Sequence, residues 1–255
     1  MKKLLLILLM AGLIAGLLVG CNGVIPPPDG GEGEGEGEGE EEVSRVVMVE
    51  AFTKEDCAMC EIVEPLIEQL ADEYERSEVI FVEERAYGIY SLDEIRARYN
   101  WYLPSSADRG TPNIFFNGKN TTHIHGTTTK YVIKSKILAE LGKDAKIKIT
   151  AARNSDSNAT TITGTITNIS SSTLDNLVIN GMTFKNLGKT GIKYAVTDIW
   201  EEQKETVATL EPDGTYNFSF TLEDINWDGN VYHGVIFVQA VQSSTKEILQ
   251  AKYIE

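Results

Sequence analysis

Cys57-Ala58-Met59-Cys60 lies between two segments of different periodicity. Before it, Val46-Val47-Met48-Val49 is an unbroken apolar run, which predicts a strand buried on both faces. After it, apolar residues fall at Ile62, Val63, Leu66, Ile67, Leu70, Ala71 and Tyr74, the stripe of an amphipathic helix. Asp56 is the expected N-cap. A cysteine in the first turn of a helix meets unpaired N–H groups and the positive end of the macrodipole, and both favour a thiolate. A second cysteine one turn on can close a disulfide with it. Such a short spacing closes almost no loop, so the pair would add little as a structural staple. The chain has three cysteines, and this pairing points to redox chemistry. Cys57 is the candidate exposed nucleophile and Cys60 the thiol that resolves the mixed disulfide.

With Pro65 five residues beyond Cys60, this segment resembles the active-site helix of the thioredoxin-like superfamily. Arg109-Gly110-Thr111-Pro112 resembles that family's loop with a cis-proline, which lies against the disulfide and docks substrate backbone. Val79-Ile80-Phe81-Val82 and Ile114-Phe115-Phe116 look like its following strands. Asn117-Gly118 reads as a two-residue hairpin turn, and residues 134–141 as the closing helix. The resemblance covers residues 43–142 and implies an α/β thioredoxin-like domain. It implies a thiol–disulfide oxidoreductase that needs no cofactor, acting on protein thiols and disulfides and recycled by a partner redox protein. Cys57 and Cys60 would be catalytic, with Thr111, Pro112, Ala58 and Met59 in contact with substrate. The sequence departs from thioredoxin proper at Asp56, where that family has Trp, and at Ala58-Met59, where it has Gly-Pro. Glu55, Asp56 and Glu61 bring negative charge to the site, which would raise the Cys57 pKa and make the pair less oxidising than the strongest oxidases. The resemblance also implies an acid beneath the disulfide that moves the proton of the resolving thiol, and Glu50, at the end of the first strand run, is the candidate. The alternative for Glu50 is a surface position at a strand end.

Lys2 and Lys3 precede an uncharged apolar run over residues 4–20, the pattern of a signal peptide. Leu18-Val19-Gly20-Cys21 resembles the bacterial lipobox, which implies cleavage after residue 20 and a lipid anchor on Cys21. Asn22 follows where an Asp would signal inner-membrane retention, so an outer-membrane destination is expected in an organism that has one. Residues 22–42 alternate Gly and Glu after three prolines and are expected to form a disordered tether. The formal net charge of −15 argues against nucleic acid as a partner, since that needs a basic footprint.

Beyond Gly142 the period becomes two. Lys146-Ile147-Lys148-Ile149 alternates, as do residues 160–166 and Tyr216, Phe218, Phe220 and Leu222. Strands are also expected over 174–184, 231–241 and 248–254. Turn signals stand at Asn180-Gly181, Asp213-Gly214 and Asp228-Gly229-Asn230. About seven short strands over 145–255 predict a separate all-β immunoglobulin-like sandwich. The ending, around Val235-Ile236-Phe237-Val238-Gln239 and Glu247-Ile248-Leu249-Gln250-Ala251, resembles that of outer-membrane thioredoxin-like lipoproteins of Bacteroidetes. Between the two halves of the first region, residues 92–99 read as a helix flanked by Tyr87, Tyr90, Trp101 and Tyr102. These aromatics are expected to pack a small core rather than line a substrate lip. His123 and His125 lack the spacing of a two-histidine metal site, so no metal is expected. Two alternatives to the enzyme remain: a surface protein-binding lipoprotein with an inert scaffold, and a copper metallochaperone using both cysteines with His123 or His125.

Overall fold

The computed structural model describes residues 43–118, 121–155, 159–188, 193–223, 227 and 231–255. The signal segment, Cys21, the tether and the Asp228-Gly229-Asn230 turn lie outside the described residues. The first half runs β1 (Val47–Lys54), α1 (Ala58–Ala71), β2 (Val79–Tyr87), α2 (Asp93–Tyr102), a 3-10 turn (Ser106–Asp108), β3 (Asn113–Phe116), β4 (Ile124–His125) and α3 (Lys130–Leu141). The second half is all strand: β5 (Ile147–Ser155), β6 (Ala159–Asn168), β7 (Leu174–Lys185), β8 (Ala195–Ile199), β9 (Glu205–Leu210), β10 (Thr215–Glu223), β11 (Tyr232–Ala240) and β12 (Ile248–Ile254).

The expected fold class, an α/β thioredoxin-like domain followed by an immunoglobulin-like sandwich, is overturned by the sheet. Strands from both halves share one mixed sheet in the order β12-β11-β7-β8-β2-β1-β3-β4, with β9 also paired to β7. The junction is β8, which runs parallel to β2 with Glu83 opposite Ala195, and the Glu83 N–H donates to the Tyr194 carbonyl at 2.8 Å. The reason lies in β2, where every residue from Val79 to Ala86 is buried on one face or the other. An edge strand so covered would leave its ladder groups unpaired, and β8 pairs part of that edge. The far end of the sheet returns to the first half. Ile248 donates its N–H to the Asn117 carbonyl at 2.8 Å, and Arg45 donates to the carbonyls of Ile248 and Leu249 at 3.1 Å each. The described residues beyond the tether form one compact unit.

Three cores result. On one face of β1 and β2, α1 and α3 cover Val47, Val49, Ala51, Val79 and Phe81. On the other face α2 sets Ile95, Tyr99 and Tyr102 against Met48, Phe52, Ile80 and Phe115, and this core continues through Phe184, Val235 and Phe237. A three-stranded sheet, β10-β6-β5, packs on the opposite face of the second half and encloses Ile162, Phe220, Trp200 and Ile236. Strand β11 is therefore covered on both faces, which accounts for its unbroken apolar run.

Two turn signals prove to be something else. Asn180-Gly181 lies inside β7. A Cβ on Gly181 would stand 2.1 Å from the Trp200 ring, so the glycine marks a close approach of ring to backbone. Gly181→Ala is expected to cost about 1–3 kcal/mol by overpacking, read as a lower thermal midpoint; an unchanged midpoint would contradict this contact. Asn117 and Gly118 both have positive φ, 50° and 64°, yet β3 meets β4 with Asn113 opposite His125 and Ile114 opposite Ile124, a register that excludes a two-residue hairpin at 117–118. Instead the Asn117 side-chain oxygen accepts the Met48 N–H at 2.8 Å and locks the turn to β1.

Candidate functional site

Strand β1 ends at Lys54, and the chain reverses through Asp56, whose φ is 51°. Asp56 is therefore not the N-cap. Cys57 takes that place in extended conformation, and its Sγ accepts the Cys60 N–H at 3.2 Å. The sulfur of Cys57 thus occupies the anion-favouring end of α1. Cys57 and Cys60 are joined in a disulfide. Cys57 is 6% exposed and Cys60 1%, so the first cysteine is less open than expected. What covers it is Thr111: both its carbonyl and its hydroxyl oxygen lie 3.6 Å from the Cys57 Sγ. The Thr111-Pro112 peptide is cis. Ala58 and Met59 are exposed on the rim.

Glu50 does not lie beneath the disulfide. Side chains alternate along a strand, and Glu50 shares the face of Met48 and Phe52, whereas α1 packs on Val47, Val49 and Ala51. Glu50 is wholly buried, not a surface residue, and is held by the Arg98 Nε at 2.6 Å and the Tyr102 hydroxyl at 2.8 Å.

The acids on the α1 face are Glu83 and Glu64, which sequence reasoning missed. Glu83 follows the parity of Val79 and Phe81 in β2, and Glu64 lies one turn after Cys60 in α1. Arg85 bridges them, with its Nη2 2.6 Å from Glu83 and 3.3 Å from Glu64, and the Thr53 hydroxyl donates to Glu83 at 3.0 Å. Burial pushes Glu83 up to about 8 against the opposing pull of Arg85, and burial also raises Glu64. Glu64 and Arg85 line a cavity of about 300 Å³ together with Cys57, Cys60, Lys54, Glu55, Asp56 and Glu61. The signal for this cluster was Glu83-Glu84-Arg85, three charges inside an otherwise apolar strand.

The aromatics divide. Tyr99 and Tyr102 are buried in the α2 core, as the core reading expects, while Tyr87 is 40% exposed. His123 stacks on Phe115, with ring centroids 5.0 Å apart. His125 is exposed in β4 beside Gly110. Among the described residues no three His, Cys, Asp or Glu side chains converge as a metal-ion site. No described helix is long and apolar enough to cross a membrane.

No protein-family model and no curated protein matches the sequence. The fold is shared with HBP35 of Porphyromonas gingivalis. That likeness spans 82% of this chain and 74% of HBP35, with a TM-score of 0.65 at 17% identity. A domain of the outer membrane lipoprotein Omp28 from Porphyromonas gingivalis is similar over 44% of this chain and 88% of that domain, with a TM-score of 0.31 at 16% identity. At these identities the likeness to HBP35 concerns the fold.

Proposed function

We propose that this chain is an extracytoplasmic thiol–disulfide oxidoreductase, lipid-anchored through Cys21, that exchanges its Cys57–Cys60 disulfide with protein substrates. One observation carries the reading: the disulfide closes the N-terminus of α1 with the Thr111-Pro112 edge directly against Cys57. In the reducing direction the Cys57 thiolate attacks a substrate disulfide, forms a mixed disulfide and expels one substrate thiolate. Cys60 then gives up its proton and attacks the Cys57 sulfur. The second substrate thiolate leaves, and the Cys57–Cys60 disulfide is restored. Two electrons pass to the substrate; the oxidising direction is the reverse.

The proton of Cys60 needs an acceptor. Glu64 and Arg85 line the same cavity, and Glu83, joined to it through Arg85 and pushed to about 8, titrates close to the ordinary range of a thiol, about 8.5. Glu50 has no part in this step. The test is reduction of insulin disulfides by the full chain with dithiothreitol as electron donor. Wild type is expected to accelerate it, and Cys57→Ser to lose the acceleration. A Cys57→Ser chain as active as wild type overturns the proposal.

A second reading, a surface binding protein, is favoured by a larger groove of about 730 Å³ between α2 and strands β7 and β11. It is lined by Asp93, Arg98, Trp101, Asn180, Glu201 and Gln239 among others and shares no residue with the disulfide cavity. Under that reading Cys57→Ser leaves the protein's role intact.

A further inference from the structure

We infer that Tyr99 and Asn113 are positioning residues that fix the Gly110-Thr111 peptide for docking of substrate backbone. The inference rests on the disulfide-exchange reading above.

Tyr99 enters from α2, on the face of β1 opposite α1. Its ring stacks on Phe52 at 4.6 Å between centroids and meets Tyr87 edge-on at 6.4 Å. The ring is thereby held, and its hydroxyl reaches the loop before the cis-proline. That hydroxyl donates to the Gly110 carbonyl at 2.6 Å and accepts from the Asn113 Nδ2 at 2.6 Å. Asn113, wholly buried just after Pro112, also donates from Nδ2 to the Gly110 carbonyl. One carbonyl is therefore gripped by two donors that also bond each other. Burial pushes Tyr99 up to about 12, so its hydroxyl remains a donor throughout the physiological range.

The geometry transmits this grip to the sulfur. In a trans peptide the N–H points opposite the C=O, so holding the Gly110 carbonyl inward directs the Thr111 N–H away from Tyr99. The next groups along the chain are the Thr111 carbonyl and hydroxyl, both 3.6 Å from the Cys57 Sγ. On its other side the loop is confined by His125: a Cβ on Gly110 would stand 2.4 Å from the His125 Nε2. The 110–112 segment is thus clamped between α2 and β4 while its edge faces Cys57.

A tyrosine that only packs its ring also needs a hydroxyl partner, so the test must separate positioning from packing. Tyr99→Phe keeps the ring and removes the hydroxyl. With the full chain and insulin as substrate, its KM is expected to rise about two- to tenfold, the worth of one hydrogen bond, at nearly unchanged kcat. Oxidation of the reduced protein by glutathione disulfide, which docks little backbone, is expected to keep the wild-type rate. Asn113→Ser, which removes the second donor, is expected to show the same split. A Tyr99→Phe chain that matches wild type on both substrates, or is slowed equally on both, overturns the positioning role and leaves the exchange reading standing. A wild-type chain that turns over neither substrate overturns both.

Discussion

Replacing Arg98 by methionine is expected to destabilise the protein by about 3–5 kcal/mol, the cost of leaving a buried charge without its partner. Arg98 is 7% exposed. Its Nε lies 2.6 Å from Glu50, its Nη1 donates to the Gln239 side chain at 3.2 Å, and its Nη2 donates to the Tyr102 hydroxyl at 2.7 Å. Glu84, also wholly buried, lies 3.9 Å away; burial and the neighbouring Glu50 push it well above the usual carboxylate range, and Glu50 makes the close pair with Arg98. Methionine fills comparable volume but leaves Glu50 with only the Tyr102 hydroxyl and the side chain of Glu84. Urea unfolding measures the loss. The double variant Arg98→Met with Glu50→Gln is expected to recover much of it, because the orphaned charge is gone. The network joins β1, α2 and β11, so both halves of the chain are expected to unfold in a single transition. Two separate transitions, or a loss below about 1 kcal/mol, would contradict this account of what holds the halves together.

What the sequence made legible is local. The positions of Ile62, Val63, Leu66, Ile67 and Leu70 specify α1 because helical periodicity repeats within a few residues. The alternation of Phe218, Phe220 and Leu222 specifies β10 in the same way. Pairing partners are not written locally. Strand β8 is five residues long and meets β2 across more than a hundred residues of chain, and nothing in either segment names the other. The two halves therefore read as separate domains when they share one sheet. Asn180-Gly181 misled because the same dipeptide that suits a tight turn also lets a ring approach a strand, and only the place of Trp200 decides between them. At the site, Cys57, Cys60 and Thr111 come together in space. Glu50 failed on parity. Its alternation with Val49 and Ala51 was visible, but which face α1 would cover was not.

The same parity argument makes Glu83 a carboxyl whose titration is expected to lower stability as the pH rises. An unfolded Glu83 would lose its proton near 4.5 and the folded one does so near 8, because burial opposes its charge more strongly than Arg85 favours it. Between those values unfolding releases a proton, so raising the pH favours unfolding. The contribution is fully present below about pH 4.5 and is lost as the pH passes about 8. At about 1.4 kcal/mol per unit, the loss across this window is on the order of 5 kcal/mol. Glu83→Gln imitates the protonated carboxyl, and its amide can replace the hydrogen bond that Glu83 shares with Glu64. Arg85 keeps Glu64 as a partner at 3.3 Å. Urea midpoints at pH 5, 7 and 9 are expected to fall more steeply in wild type than in the variant, with the two proteins closest at pH 5. Burial raises Glu64 and Glu84 as well, so a slope of the same sign persists in Glu83→Gln. Parallel slopes in the two proteins would mean that Glu83 is ionised at neutral pH against Arg85, and it would then be too weak a base to take the proton of Cys60.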